Sequence, residues 1–345
     1  MKSLGQLANT EKCLDKSLYL MSRYQAHGGS ASDRAGNGGP GTVFLYHLIH
    51  THRTLLIDNN NKKPFTRDIN WDKLDEEGGR AWIMPDSGIH HLAGKQHRFH
   101  FEELQIYSNA HLATWPLATS VGQNISLFFK FMIGDRTGFV HIGNQTIMDL
   151  NRPEIDLPFS AHVYLGGHLG LAPVTTIHGV QIILRGVLAY VKNLTLHHGG
   201  ELWLNPGGRT HKQNENNFDF KNVLIQDTAT IYARSSQINE PAITFNTRSF
   251  TIEGGARVLA TYLILNTENI NIDDGGELTA DYQGYNTSHG YIGRGIHGAI
   301  NPGHGSDHSL GGSGAGHGGS GGSGNINGGA KNTGRTVRSE DRQLS

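Results

Sequence analysis

Between residues 191 and 279 the chain repeats one small design four times, and that repetition narrows the fold more than any other feature. Each unit is a short alternating apolar run, a tight turn, and a second short run. The first joins residues 191–196 to 201–204 through His197-His198-Gly199-Gly200. The second joins 218–225 to 230–232 through Gln226-Asp227-Thr228-Ala229. The third joins the runs 243–245 and 250–252 to 256–259 through Glu253-Gly254-Gly255, and the fourth joins 263–265 and 270–272 to 277–279 through Asp273-Asp274-Gly275-Gly276. The turn centres fall near positions 199, 228, 254 and 275, so the interval shortens along the chain. Alternation with period two marks strands with one buried face, and Gly-Gly pairs supply the positive φ that tight turns require. A unit this small cannot close a core alone, so its apolar face must be buried against its neighbours. Leucine-rich repeats have a similar period, but their Leu and Asn spacing is missing, and two runs per unit leave no room for a helix. The expected fold is all-β, a β-solenoid.

Weaker copies of the unit lie upstream. Residues 104–107, 108–111 and 112–113 have the same shape, as do 162–165, 166–168 and 169–171. Residues 42–46 and 54–58 read as a strand pair after the glycine-rich stretch 27–41. The block 124–150 holds long strands around Gly134-Asp135-Arg136-Thr137-Gly138 and reads as a hairpin out of phase with the repeat. The resulting division is an N-terminal extension with a short helix (1–22), a first β-rich segment with a Gly-rich start (23–120), a hairpin or transitional element (121–160), solenoid rungs (161–283), and a Gly/His-rich segment with a polar tail (284–345). The run 310–324 has the composition of a flexible linker, and its histidine and aromatic punctuation gives a second reading as a coil laid against the solenoid end.

Composition excludes several classes. With 47 glycines among 345 residues and 36% hydrophobic content, thin layers with many turns are favoured over one compact core. The formal net charge of −1, from 29 basic and 30 acidic residues, gives no pull toward nucleic acid or an anionic membrane. No apolar run reaches the ~18 residues of a spanning helix. The opening stretch from Met1 to Tyr24 lacks the apolar centre of a signal peptide. The 21 histidines make the molecule a candidate for pH response, since imidazole titrates near 6.5. Cys13 is the single cysteine, so no internal disulfide forms, and it reads as a free or intermolecular thiol.

The most specific local pattern is Gly275-Gly276-Glu277-Leu278-Thr279-Ala280-Asp281-Tyr282-Gln283-Gly284-Tyr285, followed by His289-Gly290 and by Gly314-Ala315-Gly316-His317-Gly318-Gly319. It resembles a module of very large extracellular proteins of animals, with glycine-rich relatives in plants. The segments 26–29, 38–45 and 55–60 look like the end of a preceding copy. The resemblance implies a right-handed parallel β-helix of pectin-lyase-like architecture with a Gly-rich C-terminal segment, secretion, and a structural role in an extracellular or skeletal organic matrix such as that of corals. The partners it implies are other matrix proteins, polysaccharides or a mineral surface. It supplies no reaction and no cofactor.

Candidates for chemistry are few. Asp273, Asp274 and Glu277 are the acidic cluster a carbohydrate-active β-helix could use, with weak calcium binding as a further reading. They flank a Gly-Gly turn, where Asp commonly satisfies the turn backbone. The pairs His90-His91 and His197-His198 are adjacent, and on a strand adjacent side chains point to opposite faces, which disfavours chelation of one ion. His100, His111, His162, His168 and His178 are candidates for a cross-strand stack, with a zinc or copper site as the minority reading. The glycines of 314–319 match G-x-G-x-x-G but lack the flanking strand and helix a dinucleotide needs. No catalytic, cofactor or metal residue is therefore assigned. Asn124, Asn144, Asn193 and Asn286 head N-glycosylation sequons, mild support for secretion. The expectation is a non-enzymatic matrix protein, with a carbohydrate-active or carbohydrate-binding β-helix as the alternative.

Overall fold

The computed structural model describes residues 40–47, 51–61, 80–83, 96–114, 124–204, 216–233 and 242–279. Every regular element among them is a β-strand. The chain divides into two compact units, residues 1–195 and 196–345. The first carries β1 (Gly41–His47), β2 (His52–Asp58), β3 (Ala81–Ile83), β4 (Gln96–Tyr107), β5 (His111–Thr114), β6 (Asn124–Gly134) and β7 (Phe139–Ile142). It continues with β8 (Thr146–Leu150), β9 (Glu154–Asp156), β10 (Ser160–Val163), β11 (His168–Gly170), β12 (Val174–His178), β13 (Gln181–Leu184) and β14 (Val187–Ala189). After β15 (Asn193–His197), the second carries β16 (Glu201–Leu204), β17 (Asn217–Asp219), β18 (Asn222–Ile225) and β19 (Thr230–Ala233). It ends with β20 (Ile243–Ile252), β21 (Arg257–Ala260), β22 (Leu263–Ile272) and β23 (Glu277–Thr279). The short helix read into residues 1–22, Cys13, the His90-His91 pair and the Gly-rich segment from 284 lie outside the described residues.

In the first unit one sheet runs β1-β2-β4-β6-β8-β11-β14, a second runs β3-β5-β7-β10-β13, and β9 pairs β12 in a third. The pairs are parallel except β1 with β2, which joins Gly41 to Asp58 and His47 to His52 antiparallel. From β8 onward the chain visits the first, third and second sheets in rotation, and each visit lands beside the strand left on the previous one. Phe139 pairs with Ser160 and Ala161 with Ile182, two steps of equal length along the chain. Ile147 pairs with His168 and His168 with Val187, steps of nearly the same length. Because each step conserves strand parity, side chains of one kind form columns. Val140, Ala161 and Ile182 make one such core column, each fully buried. Full burial of a Val or Ile is worth roughly 1.5–3 kcal/mol, and these columns supply what no single circuit of the chain could.

The second unit repeats the scheme. One of its sheets runs β16-β19-β21-β23; in another, β20 pairs β17 and β18 on one side and β22 on the other. All of these are parallel. Leu202 pairs with Ile231 and Ile231 with Val258, giving a second core column.

Two long strands keep an apolar inward face by switching parity. β6 buries Ile125, Leu127 and Phe129 and then Met132. β20 buries Ile243, Phe245 and Thr247 and then Phe250 and Ile252. In each, a charged exposed residue, Lys130 or Arg248, begins the shift, and the ladder skips it. The switch lets both halves of a strand face the core.

The expected hairpin at 124–150 does not form. β6 pairs in parallel with β4 and β8, and β7 with β5 and β10. Adjacency in sequence suggested a hairpin, but each strand gains more from a full parallel ladder with its non-local neighbours.

The turns are local and match the sequence. Ala229 N donates to Gln226 O at 3.1 Å, Ala256 N to Glu253 O at 3.0 Å, and Gly276 N to Asp273 O at 2.9 Å. Positive φ falls on both central residues at His198-Gly199, Asp227-Thr228 and Gly254-Gly255, the pattern of a type I′ turn. Ser108 and Asn109 form the same turn upstream, between β4 and β5. In the fourth unit Gly275 takes positive φ at the second central position alone, the place where a type II turn needs glycine.

Candidate functional site

The most unusual chemistry among the described residues is a set of buried imidazoles on the second sheet of the first unit. Leu112, Val140 and Ala161 point into the core, so their neighbours on β5, β7 and β10 point to the opposite face. On that face lie His111, Phe139, His141 and His162, with Tyr164 just past β10. A strand face away from the core is normally wet, yet His141 is 1% exposed and His162 0%.

The rings are arranged by strand register. His141 and His162 are direct cross-strand partners, and His111 reaches His141 on the diagonal, a spacing long side chains can span. His111 Nδ1 and His141 Nε2 are 3.1 Å apart, a hydrogen bond in which one ring donates and the other accepts. His111 stacks on Phe139 at 5.5 Å between centroids, Phe139 on His141 at 4.8 Å, and His162 on Tyr164 at 4.0 Å. Among the described residues, His141 Nδ1 is buried with no hydrogen-bond partner.

The environment keeps these rings neutral. Burial lowers the His111 pKa to about 4, with the Arg80 guanidinium adding to the effect. Burial, then Arg185 and Arg80, lowers His162 to about 3. His141 is pushed well below the ordinary range by burial first, then by Arg80 and its two histidine neighbours. A histidine serving as general base is usually supported by a carboxylate that stabilises its protonated form. Here the charged side chains acting on the rings are cations, which oppose protonation.

Beneath the stack, on the core side, two buried hydroxyls pin the strands. Thr114 Oγ1 accepts from Gly143 N at 2.8 Å and from Thr146 Oγ1 at 3.1 Å, and donates to His141 O at 3.4 Å. These bonds tie β5 to the strand and turn that carry His141.

Of the five histidines picked as stack candidates, the structure brings together only His111 and His162. His141, missed in the sequence, bridges them; its signal was its place on β7, the strand that lies between β5 and β10. His100 stacks instead on Phe128 at 4.6 Å, His168 lies 6.1 Å from the Tyr190 ring, and His178 Nδ1 is 3.7 Å from Asp156. His198 meets Asp227 at 3.4 Å across successive turns.

The three residues of the acidic cluster have different surroundings. Asp273 accepts from its own neighbour Asn271 at 2.8 Å, Glu277 pairs with Arg257 at 3.1 Å, and Asp274 is an exposed turn residue. Of the sequons, Asn124 is exposed at the start of β6, Asn144 and Asn193 are half-buried, and Asn286 lies outside the described residues.

One open groove of about 560 Å³ lies at the β1–β2–β4 end of the first sheet. Phe44, Tyr46, Phe99, Phe101, Arg53 and Arg98 line it. Phe44 is 54% and Tyr46 47% exposed, and Phe44 meets Phe101 edge to face at 6.0 Å. No protein-family model, curated protein or solved structure matches the chain.

Proposed function

We propose that the chain is a right-handed parallel β-helix serving as a non-catalytic structural component of a secreted, extracellular or skeletal organic matrix. The observation that carries the reading is the return of the chain to the same parallel sheets, in register and at nearly equal intervals, from β8 to β14. Such a scaffold is stabilised by neighbour-to-neighbour contacts and lengthens by adding copies, which suits a load-bearing or space-filling role. The different surroundings of Asp273, Asp274 and Glu277 support it, as does the cationic setting of the buried histidines. The resemblance of the 275–319 pattern to large extracellular proteins supports secretion, and exposed Asn124 is a glycan acceptor in that setting. Its partners are other matrix proteins, polysaccharides or mineral.

The test is incubation with a panel of acidic and neutral polysaccharides, read by reducing-end release and chain length. No cleavage is expected; reproducible cleavage of any member overturns the reading.

A second reading, carbohydrate binding without cleavage, is favoured by one feature. The groove at β1–β2–β4 sets aromatic rings beside Arg53 and Arg98, a combination suited to an acidic saccharide. The Trp203–Tyr232 pair on the second unit is a poorer platform: the rings stack on each other at 3.8 Å, which covers a face of each. On the binding reading, Phe44→Ala and Arg98→Ala lower retention on an acidic polysaccharide column; unchanged retention ends it.

A further inference from the structure

The last described circuit of the second unit ends on an apolar surface that its own sheets leave open. Among the described residues, β22 is hydrogen-bonded only to β20, and β23 only to β21. The side chains of β20 and β21 at the core positions Phe245, Phe250, Ile252 and Val258 are fully buried. Their register partners one step later are Leu265, Ile270, Ile272 and Leu278. Parity and column are the same, so the partners face the same interior. Yet Ile270 is 51% exposed, Ile272 44% and Leu278 40%. A long edge strand with free backbone groups and apolar side chains is a site that native chains cover.

We infer that residues 280–300 of this chain lie across that end and cover it. The chain runs on directly from Thr279, the last residue of β23, so the segment is tethered to the surface it would cover. The preceding step runs from Phe245 to Leu265 and from Val258 to Leu278, and the stretch 280–300 is long enough for one more such step. The segment carries Tyr282, Tyr285, Tyr291, Ile292, Ile296 and Ile300 against two full charges, Asp281 and Arg294. Residues 301–345 are longer but hold only Leu310, Ile326, Val337 and Leu344 as large apolar side chains. Apolar matter therefore concentrates in the stretch that reaches the open face first. Tethering gives the segment an effective concentration of order millimolar, well above that of a second copy in a micromolar solution. The glycines between the tyrosines and isoleucines let the backbone approach the edge of β22 closely. The inference stands on the pairing and exposure of β20 to β23 and survives if the matrix reading fails.

The experiment is amide exchange on the full chain, resolving β22 and β23, with hydroxyl-radical footprinting of the same sample. On this inference the outward-facing amides of β22 exchange about tenfold or more slowly than unstructured peptide, equally at ~5 and ~200 µM chain. Ile270, Ile272 and Leu278 are then modified several-fold less than Leu310 and Ile326. The full-length triple substitution Tyr285→Ser, Tyr291→Ser, Ile292→Ser removes that protection, while amides of β20 and β21 keep theirs. Unprotected outward amides in the unaltered chain overturn the inference, as does equal footprinting of Ile270 and Leu310. Protection that appears only at the higher concentration also overturns it, because a second copy then covers the face. Should the triple variant unfold, the measurements on the unaltered chain decide the matter alone.

Discussion

Lowering the pH from about 7.5 to about 5 should destabilise the first unit through its buried histidines, and the size of the effect follows from their setting. An unfolded histidine titrates near 6.5. The folded-state values are depressed, to about 4 for His111 and about 3 for His162, with His141 also well below the ordinary range. Above pH 6.5 the rings are neutral in both states and leave stability independent of pH. As pH falls through 6.5 the unfolded chain binds protons that the folded chain refuses, so stability drops. The loss saturates only when the folded rings protonate, near pH 4 for His111 and near pH 3 for His162. At pH 5 each ring that stays neutral costs about 2 kcal/mol, 1.36 kcal/mol for each of about 1.5 pH units. His111 and His162 together cost about 4 kcal/mol, with His141 acting in the same direction, a large share of the ~5–15 kcal/mol that holds a domain folded. Urea titrations followed by circular dichroism at several pH values between 7.5 and 5 measure this. His162→Phe, which keeps a stacked ring against Tyr164, should shrink the difference by about 2 kcal/mol. A wild-type difference below about 2 kcal/mol, or an equal difference in His162→Phe, refutes the assignment of acid sensitivity to the stack.

Other expectations test the turns and the packing. Thr228 is β-branched yet sits at φ 65°, so Thr228→Gly should raise stability by about 1 kcal/mol in thermal or urea unfolding. A Cβ at Gly186 would lie 2.2 Å from Gly167 O and 2.5 Å from Tyr164 O, both backbone, so Gly186→Ala should cost about 2 kcal/mol or more. Thr114→Val leaves Gly143 N and Thr146 Oγ1 without their buried partner and should cost about 2 kcal/mol, measured the same way.

The turn positions and the all-β character were legible in the sequence because both are local. Gly199, Gly254, Gly255 and Gly275 sit where positive φ is needed, and the backbone adopts it there. The alternating runs 243–245 with 250–252 and 263–265 with 270–272 each lie within one continuous strand, β20 and β22. Two weaker upstream copies, at 104–113 and 162–171, also marked strands, falling within β4 with β5 and β10 with β11.

Strand partnership was decided by tertiary structure alone. The step between paired residues is short from His168 to Val187 and more than doubles from Thr54 to Glu103, so no fixed period predicts who lies beside whom. That variability hid the partners of β6, whose neighbour in sequence invites a hairpin while its neighbours in space are β4 and β8. It also hid the histidine stack, because His111, His141 and His162 are unevenly spaced and meet only when the lengths of every intervening loop are added correctly. Alternation told which residues of β7 and β10 share a face, but not that the outward face would be dry. Local φ and ψ preferences act within a short stretch and are written into the chain; burial depends on what the rest of the molecule places overhead, and only folding determines that.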